Sequence, residues 1–220
     1  GDQLYRLDFD ELARQHMENA ADVTIAAKAM PSDQVSALGV MRVNADLRIV
    51  EFVEKPKDPA VISSLVLGGN ARARLSDKSD KPYCLASMGI YVFNLKLLLQ
   101  ELVLDHNDPD SSHDFGNDIL PRLIVEQPVF AYPFSSQRGR VSQDHYWKDV
   151  GTLDAYYEAN IAMLEPVPPL NLYQRDWPIR GYLPQSPPAR TVPGPDGDLG
   201  VIYNSSIAGG TVINGATVKH

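Results

Sequence analysis

Cysteine is the residue this sequence has least of. Cys84 stands alone among 220 residues, which excludes an intrachain disulfide and any cysteine-rich zinc site. A single thiol fits a reducing compartment, so a cytoplasmic protein is expected. No apolar run is long enough to span a bilayer, and no membrane partner is expected. Positive charge is also in short supply. Twenty Lys and Arg face 28 Asp and Glu, for a formal net charge of −8, and no basic run interleaves with aromatics. Binding to nucleic acid through phosphate contacts is therefore not expected. An acidic chain can still take an anionic substrate where a metal ion or a few aimed cations act locally. A glycine-rich phosphate loop is missing as well, although a nucleotide-handling α/β domain normally carries one upstream.

What is present reads as a layered α/β chain. The stretch "LDFDELARQHMENA" predicts a helix capped by Asp8, with Phe9, Leu12, His16 and Met17 at helical spacing. His16 is read as a packed helix residue rather than a ligand. "DVTIAAKAM" predicts a buried strand, and "GVMRVNADLRIVEFVE" a hairpin around Asn44-Ala45-Asp46. Residues 57–81 read as mostly surface with one short helix. "ASMGIYVF" is a buried strand, "NLKLLLQELVLD" a helix capped by Asn94, and "SSHDFGNDILPRLI" a loop leading into a helix capped by Asp114. "VFAYPF" and "YWKDV" predict further strands, and "GTLDAYYEANIAMLE" a helix with Thr152 as N-cap. Alternation of this kind continues to Leu164.

Composition then shifts. Residues 165–198 are punctuated by proline, and Tyr173, Trp177, Ile179 and Tyr182 predict a linker that packs rather than a free tether. The final stretch, "VIYNSS IAGGTV INGATV", repeats every six residues: Val201, Ile207 and Ile213 in one register, Ser205, Thr211 and Thr217 in another. A hexad with one inward aliphatic is the signature of a parallel β-helix. One coil cannot bury its own inner face, so these three aliphatics are expected to face water. Gly1-Asp2 followed directly by a helix, and a repeat still running at His220, lead to the expectation of an internal piece of a longer protein.

Several chemistry-bearing residues recur at strand ends, where open α/β sheets gather their ligands. Glu54, Lys55 and Pro56 close the strand in "EFVEKPKDP"; solvated charges blunting a sheet edge are the plain alternative. Asp2 lies in the opening turn, Ser87 to Tyr91 along a strand, and His113-Asp114-Phe115 at a helix start. Trp147 and Asp149 end the last strand before a helix. Asp2 and Asp149 could jointly hold Mg²⁺ through hard oxygen ligands, while Lys55 offers a point charge for a phosphate. Asp149 can equally be a second acid beside the capped helix.

The segments "GDQLYRLDF", "LGVMRVN", "IVEFVEKPKDP", "LASMGIYVFN", "SSHDFGNDILP", "YWKDVGTLDAYYEAN" and "LYQRDWPIRGYLPQSPPAR" together resemble the bacterial glucose-1-phosphate adenylyltransferases, or ADP-glucose pyrophosphorylases. "EFVEKP" and "WKDVGT" alone point only to the wider sugar-nucleotidyltransferase group; "SSHDFG" and "DWPIR" favour the ADP-glucose branch. The resemblance implies an α/β, Rossmann-like nucleotidyltransferase domain followed by the start of a left-handed parallel β-helix. The expected parts are residues 1–164 of the catalytic domain, a packed linker over 165–198, and a first coil over 199–220. It further implies transfer of AMP from ATP to α-D-glucose 1-phosphate, giving ADP-glucose and pyrophosphate for glycogen synthesis. Mg²⁺ would be held by Asp2 and Asp149, with Asp2 essential to the chemical step. Lys55 would neutralise the sugar phosphate, and Glu54 would accept hydrogen bonds from sugar hydroxyls. Gly39 would let the backbone approach the sugar, Ser87 and Tyr91 would complete its wall, and Asp114, Phe115 and Trp147 would line the same pocket. A small-molecule allosteric effector and a homotetramer are implied for the full-length protein, while the piece alone would be inactive. Two rivals remain at this point: a related enzyme using UTP or dTTP, and a hexapeptide-repeat acyltransferase or scaffold.

Overall fold

The computed structural model describes residues 2–68, 81–134, 145–182 and 184–219. The chain forms two compact units, one built from Leu7–His145 and the other from Asp2–Arg6 with Tyr146–His220.

The first unit is a five-stranded mixed sheet with helices on its faces. Its strands are β2 (Val23–Pro31), β3 (Gly39–Val43), β4 (Ile49–Glu54), β5 (Tyr83–Phe93) and β6 (Val129–Pro133), in the order β4-β3-β5-β2-β6. Only β2 and β6 run parallel; the remaining neighbours are antiparallel. Val23, Thr24, Ile25, Ala26 and Ala27 of β2 are all buried, as a central strand covered on both faces requires. One face packs Val23, Ile25, Met41, Leu85, Val129 and Ala131 against Leu120, Leu123 and Ile124. The other packs Val40, Cys84 and Ala86 against Val35 and Leu65. The predicted hairpin closes because Asn44 Oδ1 accepts from the amides of Asp46 and Arg48, both at 2.9 Å.

Helix α1 (Phe9–Glu18) starts where predicted, with Asp8 accepting from the Glu11 amide. Leu12 and His16 are buried, whereas Phe9 and Met17 are exposed, so the apolar stripe is narrower than the spacing suggests. His16 bonds Thr24 Oγ1 at 2.9 Å and Asn94 Oδ1 at 3.3 Å, a packed helix histidine. Helix α2 (Pro59–Ser64) is a short helix within the 57–81 stretch; residues 69–80 lie outside the described ones. Helix α3 (Leu95–His106) begins at Asn94, but that side chain makes no cap bond. Asn94 instead donates to Ala21 O and Asp22 Oδ1, tying β5 back to the start of β2. A single π-helical turn (Phe115–Ile119) then leads into α4 (Leu120–Glu126).

The second unit begins with a short antiparallel ribbon, β1 (Gln3–Tyr5) against β7 (Trp147–Asp149). Helix α5 (Leu153–Ala162) follows, its N-cap Thr152 accepting from the Ala155 amide at 3.2 Å. The proline-rich stretch is anchored through Leu170, which is fully buried, and through Arg6, which donates to Gln174 Oε1 at 2.8 Å and to Asn171 O. Tyr173, Ile179 and Tyr182 are exposed, whereas Trp177 is half-buried, so of the four residues that suggested packing only Trp177 is partly covered. Two parallel pairs close the unit: β8 (Arg190–Val192) with β10 (Val212–Asn214), and β9 (Val201–Tyr203) with β11 (Thr217–Lys219). Ile213 is buried and Val201 and Ile207 half-buried, contrary to the expected exposure of all three. The reason is local: β8, drawn from the proline-rich stretch, supplies β10 with a parallel neighbour. No helix among the described residues is long and apolar enough to cross a membrane.

Candidate active site

In the first unit, strand pairing assembles a cluster around Glu54. Gly39 opens β3 directly opposite Glu54, the last residue of β4. The Glu54 side chain is 16% exposed, and its Oε1 lies 3.4 Å from Lys55 Nζ. Its other oxygen lies against glycine backbone. A Cβ on Gly39 would sit 2.7 Å from Oε2, and one on Gly116 would collide with the same carboxylate, 2.8 Å from Cδ. Lys55 adopts φ +46, a conformation disfavoured for a side-chain-bearing residue and common where geometry serves a site. Its amide donates to Leu38 O at 3.1 Å, and its ammonium arm remains largely exposed. The strand end is thus a shaped turn rather than a frayed edge.

The opposite wall comes from β5 and the π-helical turn. Ala26 of β2 alone stands opposite Met88, Gly89 and Ile90, a bulge with Gly89 at φ +70. It brings Ser87 Oγ within 3.3 Å of Tyr91 Oη, and Ser87 also accepts from the Gly89 amide. Tyr91 stacks on Phe115 with ring centroids 6.0 Å apart, and Phe93 packs on the same ring at 5.7 Å. Burial pushes the Tyr91 phenol above its ordinary pKa; the Ser87 hydrogen bond opposes that, and the charges of Glu54 and Asp114 add to it. Asp114 Oδ1 accepts from the Gly116 and Asn117 amides at 2.8 and 3.0 Å, the cap read from the sequence.

The loop before that cap is held by two further acids. Asp105 accepts from Ser111 Oγ at 2.6 Å, and its Oδ2 lies 2.9 Å from His113 Nδ1. Asp118 accepts from Ser112 Oγ at 2.6 Å and from the Asp114 amide at 2.9 Å. These bonds hold both carboxyls below the usual range, Ser111 contributing most at Asp105 and Ser112 most at Asp118.

In the second unit, the β1–β7 pairing sets Gln3 opposite Asp149. Gln3 Nε2 donates to Asp2 Oδ1 at 3.2 Å and to Asp149 Oδ1 at 3.5 Å. The Val150 amide donates to Asp2 O at 2.9 Å. A Cβ on Gly151 would lie 2.8 Å from Asp2 Oδ2 and 3.3 Å from Asp149 Oδ2, so the two carboxylates converge over this glycine. Two exposed, hard oxygen donors suit a magnesium-type cation that keeps several waters. Among the described residues no group of three or more such side chains occurs, so the pair would supply only part of a coordination shell. Trp147, two residues before Asp149, is buried, and its indole N–H has no partner among the described residues.

The candidate residues therefore fall into two groups. Gly39, Glu54, Lys55, Ser87, Tyr91, Asp114 and Phe115 gather in the first unit; Asp2, Trp147 and Asp149 in the second. Sequence reading missed Gly116, Gly151 and Gln3. The glycines in "HDFGND" and "KDVGT", each two residues past an acid, were the available signal.

A nucleotidyl transferase family model matches residues 1–165. The chain belongs to the nucleotidyl transferase family. The family's Rossmann-like α/β fold accommodates the mixed sheet. Among the similar nucleotidyl transferases, glucose-1-phosphate adenylyltransferase 2 of Vibrio cholerae is 46% identical over 220 residues, covering all of this chain and 50% of its own length. The glucose-1-phosphate adenylyltransferases of Methylobacillus flagellatus and Rhodopseudomonas palustris are 42% and 41% identical, again over all of this chain and 48% and 49% of theirs. The chain thus spans about half the length of the curated relatives it matches.

Proposed function

We propose that the protein carrying this chain is a glucose-1-phosphate adenylyltransferase, transferring AMP from ATP to α-D-glucose 1-phosphate with release of pyrophosphate. The observation that carries this reading is the cluster around Glu54. A largely buried carboxylate beside an exposed ammonium, walled by stacked aromatics and a second acid, offers a sugar phosphate all it needs: acceptors for hydroxyls, a cation for phosphate and a face for the ring. Whole-chain identity of 41–46% to relatives of that name supports the choice of substrate pair.

In this reading the sugar phosphate attacks the α-phosphorus of ATP, so two anions must be brought together. Lys55 neutralises the sugar phosphate and Glu54 orients the sugar, while the space over Gly39, read from the resemblance as room for the sugar, is taken by the Glu54 carboxylate and the Phe52 ring. Ser87 and Tyr91 close the wall, with Asp114 and Phe115 behind them. Trp147, in the second unit, is assigned to sugar binding by the resemblance alone. Asp2 and Asp149 would hold Mg²⁺, which when bound offsets charge on the reacting phosphates. The parallel pairs β8–β10 and β9–β11, with Ile213 inward, support reading residues 199–220 as the opening of a left-handed β-helix after a 165–198 linker. A cytoplasmic homotetramer under small-molecule control follows from the resemblance alone.

The test is pyrophosphate release by the protein carrying this chain, measured with ATP, UTP and dTTP, with and without Mg²⁺. Activity with ATP and glucose 1-phosphate that requires Mg²⁺ is expected. Preference for UTP or dTTP would move the protein to a sister activity, and no release with any nucleotide would refute the reading.

A further inference from the structure

We infer that Gly116 is a positioning residue for Glu54, and that its missing side chain sets where the sugar-binding carboxylate stands. The inference rests on the reading above. Glu54 Oε2 fills the space a Cβ would take on Gly39, on the neighbouring strand, and on Gly116, at the start of the π-helical turn. Gly116 is itself held: its amide donates to Asp114 Oδ1, and a Cβ there would also come within 3.2 Å of that oxygen. The glycine is thus a spacer with a carboxylate on either side.

The two glycines differ in what an added methyl would do. On Gly39 it would collide with the Phe52 ring, a member of the sheet core, so that change would disturb folding. On Gly116 the obstacles are carboxylate ends, and the helix-like turn accepts alanine readily. The Glu54 arm is flexible and can swing away toward Lys55 and solvent. Alanine at 116 should therefore leave the fold intact while moving the carboxylate off the sugar.

The experiment is a cycle of Gly116→Ala, Glu54→Ala and the double variant in the protein carrying this chain, read by steady-state kinetics and thermal melting. Gly116→Ala should raise KM for glucose 1-phosphate about tenfold or more, approaching the loss in Glu54→Ala. KM for ATP should stay within about twofold. The double variant should be no worse than Glu54→Ala alone, because a displaced group cannot be lost twice, and melting should be nearly unchanged. An unaltered sugar KM, additive losses, or a collapse in melting temperature would each overturn the inference. If the unmodified protein releases no pyrophosphate with glucose 1-phosphate, the functional reading itself fails and the inference goes with it.

Discussion

The acids of the first unit, Glu54 and Asp114, and those of the second, Asp2 and Asp149, share one chemistry in contrasting surroundings. Glu54 and Asp114 are half-buried, and their oxygens lie against glycine backbone or accept backbone amides. Asp2 and Asp149 are exposed on a three-residue ribbon, and their Oδ2 atoms converge over Gly151. A carboxylate that must recognise a neutral hydroxyl gains from being fixed in advance. One that must share a strongly hydrated cation gains from keeping water and its remaining lone pairs. Under the proposed function, confinement would separate the acids that recognise the sugar from those that hold the metal.

The sharpest test of that contrast is Asp149→Asn, which keeps shape and removes charge. Turnover should fall about 10²–10³-fold with little change in either KM; a near-normal kcat would end the metal assignment. Lys55→Ala should act on the other side. KM for glucose 1-phosphate should rise about ten- to hundredfold while KM for ATP moves far less, and equal losses for both substrates would mark the lysine as structural.

A smaller effect is expected from the loop anchors. Because Asp105 is held below its ordinary pKa, its contribution to stability is full above the unfolded value of about 4. It is lost as pH falls through the folded-state value. Asp105→Asn should therefore melt below the unmodified protein at neutral pH, with the gap closing on acidification below about pH 4. A gap independent of pH would show that the hydrogen bonds, not the charge, hold the loop. The least effect should come from Gln3→Ala. Its bonds are exposed, and stability should change by no more than about 0.5 kcal/mol in denaturant unfolding. A larger loss would mean that the Asp2–Asp149 pair is more tightly built than its exposure indicates.

Much of the first unit was legible because its signals are local. Asp8 and Asp114 cap as read, as Thr152 does in the second unit, since a cap needs only its own next few amides. The hairpin closed at Asn44 for the same reason. Asn94 misled because a cap competes with any other donor or acceptor within reach, and Ala21 and Asp22 lie beside it only in the folded sheet. The proline-rich stretch misled differently. Of its aromatics only Trp177 is partly covered, and the Arg6 bonds that anchor the stretch link residues more than 160 apart in the chain.

By itself the sequence determined which residue types could do chemistry and at which strand ends they stood: an acid and a lysine before Pro56, an acid opening a helix, an acid closing the last strand. Periodicity and caps act over a few residues, so one strand of text is enough to read them. Only the tertiary structure decided which acids meet. The register that faces Gly39 with Glu54, and the turn that lays Gly116 against the same carboxylate, join positions 15 and 62 residues from Glu54. A glycine's missing side chain becomes informative only once the fold shows what occupies its place.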